Sequence, residues 1–224
     1  MTRSELARRL DHSVLKPEAT EADLRAGADI VRTWQAGFYC VQPCWVDFAA
    51  KALASSDARV VSVVGFPHGC NRSEVKARAA AIAVADGAAE IDMVQNFGAL
   101  KSNDAAAVVR DIEAVVRAVP GIPVKVILES AVLTDAEKRL ACRLAVDAGA
   151  TFVKTSTGFH PSGGATIADV RLMRAAVGTD IGVKASGGIR TLADALAMLD
   201  AGANRLGTSA SAAILGALGR GDPT

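Results

Sequence analysis

The sequence is poor in cysteine and histidine, which limits the kinds of site it can hold. Its 224 residues include three histidines and four cysteines, at positions 40, 44, 70 and 142. Four cysteines in a chain of this length do not make a disulfide framework, so we expect free thiols and a reducing, cytoplasmic setting. Cys40 and Cys44 have a loose metal-ligand spacing, but no second pair or histidine cluster completes a site. The sequence therefore predicts no metal, and we interpret His12 as a structural or bottom-loop residue.

Features of membrane and nucleic-acid proteins are also missing. No run of eighteen apolar residues is present, so a membrane span is not expected. The first six residues, Met-Thr-Arg-Ser-Glu-Leu, lack the apolar stretch of a secretory signal. The 25 basic and 24 acidic residues are interspersed and leave a net charge of +1. Because nucleic acids and acidic membranes attract basic faces, neither is an expected partner.

Alanine and aliphatic residues supply the core, since 50% of the chain is hydrophobic but only 4% is aromatic. Helical, alanine-rich stretches end at four similar segments that contain Gly37, Gly87, Gly149 and Gly202. Glycine is common directly after a helix because it accepts a left-handed backbone conformation. These glycines lie 50 to 62 positions apart, about twice the length of one strand–helix unit. The spacing therefore predicts eight such units.

An apolar run follows each of several predicted helices and is interpreted as a strand. The eight predicted strands lie near 10–12 and at 38–42, 60–65, 90–94, 124–129, 152–155, 181–185 and 204–207. Capping boxes are predicted to start three helices, at Asn71 with Glu74, Thr134 with Glu137, and Thr191 with Asp194. Eight alternating units favour a closed (β/α)8 TIM barrel, of class α/β, over an open sheet. We expect one domain over residues 1–224, with a short loose tail at about 219–224.

Two lysines near the ends of neighbouring predicted strands give the first indication of chemistry. Lys154 and Lys184 are 30 positions apart, about one strand–helix unit, and alternation along each strand directs both to the same side. At about 4 Å and an effective dielectric near 20, two ammonium groups repel each other by about 4 kcal/mol. Such repulsion favours loss of a proton from one of the two lysines, and the neutral amine that results is a nucleophile. The pair therefore suggests Schiff-base chemistry.

Further charged residues fall on the predicted inner face of the barrel. Alternation places Glu90 with Asp92 on one face of a strand, and Lys125 with Glu129 on one face of the next. Glu90 and Lys125 are equally well explained as a structural ion pair, because buried charges need partners. Asp92 is interpreted more specifically, as a group that takes part in the chemistry. A carboxylate beside Lys184 keeps that lysine protonated, and it can also move a proton through a bridging water.

Glycine-rich turns follow the last two predicted strands. They contain Gly187 and Gly188 in one loop, and Thr208 and Ser209 in the other. In (β/α)8 barrels the backbone N–H groups of these two loops often bind phosphate. We therefore predict a phosphate site here, with Arg190 as either a counter-charge or an ordinary surface residue.

Several segments together resemble one known family, deoxyribose-phosphate aldolase. The most specific are Phe152-Val153-Lys154-Thr155-Ser156-Thr157-Gly158 and Val183-Lys184-Ala185-Ser186-Gly187-Gly188. Similar segments run in order from about Leu10 to Ser209. The resemblance implies a metal-free class I aldolase that reversibly cleaves 2-deoxy-D-ribose 5-phosphate to glyceraldehyde 3-phosphate and acetaldehyde.

The resemblance also implies roles for individual residues. Lys154 would form the Schiff base, Lys184 would tune it and share in proton transfer, and Asp92 would accept and donate protons. Substrate binding is expected at Thr155 and at the two glycine-rich turns. No cofactor is expected, because the lysine is itself the covalent catalyst, and the expected partners are a phosphosugar and an aldehyde. Barrels of this size often associate through their outer helices, so a homo-oligomer is compatible with the sequence.

Some positions depart from the family pattern, and two other functions stay open. Gln42 stands where an asparagine is usual, Gln95 begins a less aliphatic stretch than usual, and the only tyrosine is Tyr39 rather than a terminal one. These departures bear on the rate and the range of aldehydes. The alternatives are another lysine-dependent barrel aldolase, such as a transaldolase or ketose-phosphate aldolase, and a noncatalytic phosphosugar-binding barrel.

Overall fold

Eight parallel strands form a closed barrel in which each strand pairs with the next and the eighth pairs with the first. The computed structural model describes residues 1–218. The strands are β1 Leu10–Val14, β2 Phe38–Val41, β3 Arg59–Val64, β4 Glu90–Val94, β5 Val124–Ile127, β6 Phe152–Lys154, β7 Gly182–Ser186 and β8 Arg205–Thr208. The predicted (β/α)8 TIM barrel is confirmed, and the strand bounds agree with the prediction to within two residues. The predicted tail at 219–224 lies outside the described residues.

Helices alternate with the strands and cover the outside of the barrel. In the described part of the chain they are α1 Arg3–Ala7, α2 Glu21–Trp34, α3 Val46–Ala52, α4 Ser73–Ala85, α5 Phe97–Lys101, α6 Ala105–Ala118, α7 Asp135–Asp147, α8 Ile167–Val177, α9 Leu192–Asp200 and α10 Ser211–Gly216. Not one of these helices is long and apolar enough to cross a membrane.

Helix starts follow the predicted capping chemistry in two of three cases. The hydroxyls of Thr134 and Thr191 accept from the backbone N–H groups of Glu137 and Asp194, and the carboxylates of Glu137 and Asp194 accept in return from the backbone N–H groups of the two threonines. The prediction at Asn71 is wrong, because α4 begins at Ser73 and its N-cap residue, Arg72, makes no side-chain capping bond. The loop before α4 is instead anchored from within the helix by the buried Lys76, whose ammonium donates to the carbonyl of Gly69 at 2.7 Å.

Three of the four predicted glycine stops have the expected backbone conformation, with positive φ at Gly87, Gly149 and Gly202. At the fourth, the prediction is wrong, because Gln35 and not Gly37 takes the left-handed conformation that ends α2. Gly37 is required for a different reason. A Cβ atom there would lie 2.6 Å from the carbonyl oxygen of Arg8.

The interior of the barrel is divided into a neutral part and a charged part. Strands β2 and β3 contribute a small apolar cluster of Cys40, Val61 and Val63. The inner faces of β4 to β8, together with β1, carry acidic and basic side chains that contact one another. The larger apolar core lies outside the barrel wall, between the strands and the helices. The charged side chains therefore lie inside the barrel, beneath the carboxyl ends of the strands.

Candidate active site

Lys154 and Lys184 are directly opposite each other on β6 and β7, at paired positions of the ladder. Both side chains point into the barrel and are almost fully buried. Their ammonium groups donate to the same oxygen, Oδ2 of Asp92, at 2.8 Å and 2.7 Å. The structure thus brings together the three residues that the sequence predicts to be catalytic.

Lys184 is held by a second carboxylate as well. Its Nζ atom forms a very short ion pair with Oδ2 of Asp11 on β1. Burial by itself lowers the pKa of Lys184, but the charges of Asp11 and Asp92 outweigh this effect and raise it above its usual range. Lys184 is therefore protonated at neutral pH. This agrees with the sequence-based expectation that Asp92 keeps it protonated.

Asp92 is surrounded by three lysines. Burial favours its neutral form, but the charges of Lys125, Lys154 and Lys184 dominate and hold the pKa of Asp92 well below its usual range. Its Oδ1 atom accepts from Lys125 at 2.9 Å, on the side away from the other two lysines. Asp92 is therefore an ionised carboxylate whose two oxygens are both engaged.

The contacts continue below Asp92 toward the amino ends of the strands. Lys125 lies 2.5 Å from Oε2 of Glu90, which confirms the predicted ion pair. Arg205 on β8 then connects Glu90, at 3.3 Å, with Asp11, at 3.1 Å. Six side chains thereby form a closed circuit, which we name the charge ring, in the order Asp92, Lys125, Glu90, Arg205, Asp11, Lys184 and back to Asp92.

Glu129 does not belong to this ring, although alternation predicts it to share a face with Lys125. The strand ends at Ile127, and Glu129 has a left-handed backbone with φ of 57°. Its carboxylate is buried and accepts from the hydroxyl of Thr157 at 2.6 Å. Glu129 thus supports the loop that follows β6.

A cavity of about 740 Å³ opens above the lysines at the carboxyl end of the barrel. Lys154 and Lys184 lie in its floor, together with Asp11 and Cys40. Its wall includes both glycine-rich turns, with Gly187, Gly188, Thr208 and Ser209, and its rim includes Lys16 and Arg190. The predicted phosphate-binding turns and the predicted catalytic lysines therefore share one pocket.

Gly187 and Gly188 have the geometry of a backbone binding site. Their φ angles are 87° and 84°, which side-chain-bearing residues rarely adopt. A Cβ atom on Gly187 would lie 2.9 Å from the Cα of Gly164, so this loop packs closely on the loop after β6. Within residues 1–218, the N–H groups of both glycines donate no hydrogen bond to the protein. They are available to a ligand in the pocket.

Thr155 is placed differently from the prediction, since it is not among the pocket-lining residues. Its hydroxyl donates to the carbonyl of Ser186 at 3.1 Å and accepts from the N–H of Ser186 at 3.0 Å. Thr155 follows Lys154 directly, so alternation turns it to the opposite side of the strand. It joins β6 to β7, and we leave it out of the substrate-binding set.

Two members of the charge ring, Asp11 and Arg205, were not singled out by the sequence analysis. Burial raises the pKa of Asp11, but Lys184, Lys125 and Arg205 outweigh burial and lower it. Arg205 also stacks its guanidinium 3.4 Å above the ring of Phe38. In each case the available signal was a charged residue at an inward position of a short strand.

Known proteins similar to this chain are aldolases. Residues 6–217 match the model of the DeoC/LacD family aldolases. A deoxyribose-phosphate aldolase of Enterococcus faecalis is 54% identical over 97% of this chain and 99% of its own length. Deoxyribose-phosphate aldolase 1 of Bacillus licheniformis is 52% identical over 94% of this chain and 95% of its own length.

Solved structures agree with these relatives. An aldolase called QR15 superimposes with a TM-score of 0.90 and 37% identity, over 95% of each chain. The deoxyribose phosphate aldolase of Aeropyrum pernix, described as a tetramer, has a TM-score of 0.89 and 32% identity, over 96% of this chain and 92% of its own. The family match over nearly the whole length and the two relatives above 50% identity show that this chain belongs to the DeoC/LacD family of aldolases.

Proposed function

We propose that this chain is a class I aldolase that reversibly cleaves 2-deoxy-D-ribose 5-phosphate to D-glyceraldehyde 3-phosphate and acetaldehyde, through a Schiff base on Lys154. The names of the relatives support the substrate, and the pocket supports the chemistry. It combines lysines in its floor with unpaired backbone donors in its wall.

The observation that carries the assignment to Lys154 is the unequal sharing of carboxylates among the lysines. Lys184 is paired with Asp11 and Asp92, and Lys125 is paired with Glu90 and Asp92. Lys154 is paired with Asp92 alone, through an oxygen that it shares with Lys184. Among the three, Lys154 therefore loses the least ionic interaction when it gives up its proton to become a nucleophile.

The cycle begins when the neutral amine of Lys154 adds to the C1 aldehyde of the open-chain sugar phosphate. Loss of water gives an iminium ion. The C3 hydroxyl then loses its proton through water to the carboxylate of Asp92, which lies beside the protonated Lys184, and the electrons of the C2–C3 bond move to the iminium nitrogen. Glyceraldehyde 3-phosphate leaves, and the enamine is protonated at carbon and hydrolysed to acetaldehyde, which restores the amine.

The phosphate end of the substrate is assigned to the turns after β7 and β8. The free N–H groups of Gly187 and Gly188 suit phosphate oxygens, and Thr208 and Ser209 lie in the same wall. The hydroxyl of Thr208 already donates to the carbonyl of Ile189 at 2.7 Å, so it positions the turn instead of donating to phosphate. Arg190 and Lys16 at the rim supply positive charge. Anchoring this end orients C1 toward Lys154.

Borohydride trapping tests the assignment. Acetaldehyde and borohydride are expected to leave an N-ethyl group on Lys154, which peptide mapping by mass spectrometry locates. Lys154→Met should remove the adduct and lower kcat/KM for deoxyribose 5-phosphate by at least about 10³-fold. The matched control Lys101→Met changes an exposed lysine and should retain both the adduct on Lys154 and the kcat/KM of the unchanged protein.

An adduct on Lys125 or Lys184 in place of Lys154 would contradict the proposal. Faster cleavage of a fructose phosphate than of deoxyribose 5-phosphate would favour a ketose-phosphate aldolase. Saturable phosphosugar binding without any trapped adduct would favour a noncatalytic binding barrel.

Association of copies of this chain and a cytoplasmic setting stay predictions. All four cysteines are free, and Cys44 and Cys70 are exposed, which suits a reducing compartment. Light scattering of the purified protein measures the oligomeric state.

A further inference from the structure

The charge ring is electrically balanced without Lys154. It contains three carboxylates and three cations, and each member contacts two members of opposite charge. Five of the six side chains are 4% exposed or less, and Arg205 is 12% exposed. At such burial, charges are weakly screened by solvent, so the net charge of the ring acts on every group beside it.

Lys154 is the seventh ionisable group of this cluster and contacts the ring only at Asp92. With Lys154 protonated, the cluster carries one excess positive charge, and with Lys154 neutral it carries none. A buried excess charge is unfavourable unless it is paired. The cluster is therefore balanced in the form that has a nucleophilic amine.

We infer that Glu90 and Arg205 are positioning residues whose charges act on Lys154 through the charge ring. Among the described residues, both lie below the pocket and form no ion pair with Lys154 or Lys184, although Arg205 is opposite Lys184 in the β7–β8 ladder. This inference rests on the proposed Schiff-base function of Lys154. It assigns an effect on the reaction to two residues that are absent from the lining of the pocket.

Other ionisable groups near Lys154 do not disturb this balance. Burial raises the pKa of the Cys40 thiol on β2 to about 11, so it is neutral at physiological pH. The four charged groups at the pocket rim, Lys16, Glu18, Asp23 and Arg190, are exposed and of mixed sign. Solvent therefore screens their electrostatic effect on Lys154. The charged and titratable groups that face Lys154 within residues 1–218 are Asp11 on β1, Cys40 on β2, Glu90 and Asp92 on β4, Lys125 on β5, Lys184 on β7 and Arg205 on β8, with Lys16, Glu18, Asp23 and Arg190 at the rim.

Charge changes at Glu90 and Arg205 give opposite expectations for the pH profile of trapping. Glu90→Gln removes a negative charge, so the ring becomes positive and the acid limb of the profile should move to lower pH. Arg205→Gln removes a positive charge, so the ring becomes negative and the acid limb should move to higher pH. Each change should move the midpoint of the acid limb by about one pH unit. The double variant restores balance and should return the midpoint to that of the unchanged protein.

The experiment measures the rate of cyanoborohydride trapping of acetaldehyde on Lys154, and kcat/KM for deoxyribose 5-phosphate, as functions of pH. The pH dependence of kcat/KM reports groups of the free enzyme. Asp111→Asn is the matched control, because it removes a buried negative charge from the pair with Lys76 on the outer side of the barrel. It should lower stability and leave the midpoint unchanged.

The outcomes separate the two proposals. Absence of an adduct on Lys154 in the unchanged protein overturns the proposed function and the inference together. An adduct on Lys154 with midpoints that are unmoved, or that move in the same direction in both single variants, overturns the inference alone. Opposite movements that cancel in the double variant support it. If Arg205→Gln does not fold, the isosteric Glu90→Gln still decides by the direction of its shift.

Discussion

His12 lies on the outer side of β1, where its ring stacks on Tyr39 with centroids 6.1 Å apart and its Nδ1 atom is 3.1 Å from the hydroxyl of Ser211. The structural interpretation of this residue therefore holds, and the bottom-loop alternative is wrong. Burial lowers the pKa of His12 to about 4. The folded protein consequently carries His12 neutral at pH values where the unfolded chain already binds a proton.

Acid should weaken the fold in the range set by this histidine. The contribution of His12 to the free energy of unfolding is complete above about pH 6.5 and is lost as pH falls toward 4, because only the unfolded chain takes up the proton. We expect a loss of about 2 kcal/mol between pH 7 and pH 5 from this group. Urea unfolding at the two pH values measures it. His12→Gln should reduce the difference, whereas His68→Gln, at an exposed histidine, should not; equal losses in both variants would contradict this assignment.

The candidate site shows which residues a sequence can reveal and which require the closed barrel. Alternation along single strands is sufficient to place Lys154, Lys184 and Asp92 on inner faces, and the same rule would have excluded Thr155. Asp11 and Arg205, in contrast, are 194 positions apart and meet only where β8 pairs with β1. Their ion pairs are long-range contacts that no local pattern encodes.

Close packing between β6 and β7 depends on the absence of a side chain at Gly182. A Cβ atom there would lie 2.1 Å from Cε1 of Phe152, the residue opposite it in the ladder. The ring of Phe152 thereby occupies the space beside Gly182 in the layer below Lys154 and Lys184. This explains a glycine in a strand interior, where glycine is otherwise unfavourable.

Gly182→Ala should therefore destabilise the protein by overpacking, by about 1–3 kcal/mol. It should also lower activity, because Lys184 follows two positions later on the same face. Gly98→Ala in α5 is the matched control, since the added atom meets nothing closer than 3.4 Å and alanine is the better helix former. Urea unfolding and kcat/KM measure the two effects. Equal stability of the two variants would show that Phe152 moves aside without cost.

The boundaries of helices were predicted correctly where a single local interaction determines them. They were missed where one residue meets two structural requirements. Thr134 and Thr191 start helices because each forms a complete capping box with the residue three positions later. At the end of α2, the glycine pattern pointed to Gly37, but close contact with Arg8 already requires a glycine there, and the helix ends two residues earlier at Gln35. A single sequence does not show which of two requirements a glycine serves.

The barrel has no free strand edge, because β1 and β8 are joined along their length. Leu10 pairs with Leu206 and Asp11 with Gly207, and the N–H of Leu206 donates to the carbonyl of Arg9 at 2.8 Å. The spacing of glycines predicted eight units, and eight units favour closure. The closure itself is what completes the charge ring.

Hydrogen exchange should show this closure directly. Amides of β1 and β8 are expected to exchange as slowly as those of β4 and β5, since all four strands are paired on both sides. The loop at 160–164 belongs to no helix or strand, so it should exchange faster than these strands and serves as the internal reference. Mass spectrometry of peptides from the native protein measures the rates. Rapid exchange confined to β1 and β8 would indicate an open sheet instead.

The division of the barrel interior has a consequence for engineering the enzyme. Cys40, Val61 and Val63 carry no charge, and Phe66 continues this neutral side upward to Phe159 at the mouth of the pocket, 5.2 Å away between ring centres. Mutant libraries confined to this side can change the shape of the pocket for bulkier aldehydes while leaving the charge ring unchanged. On the opposite side, substitutions should be designed as charge-compensated pairs.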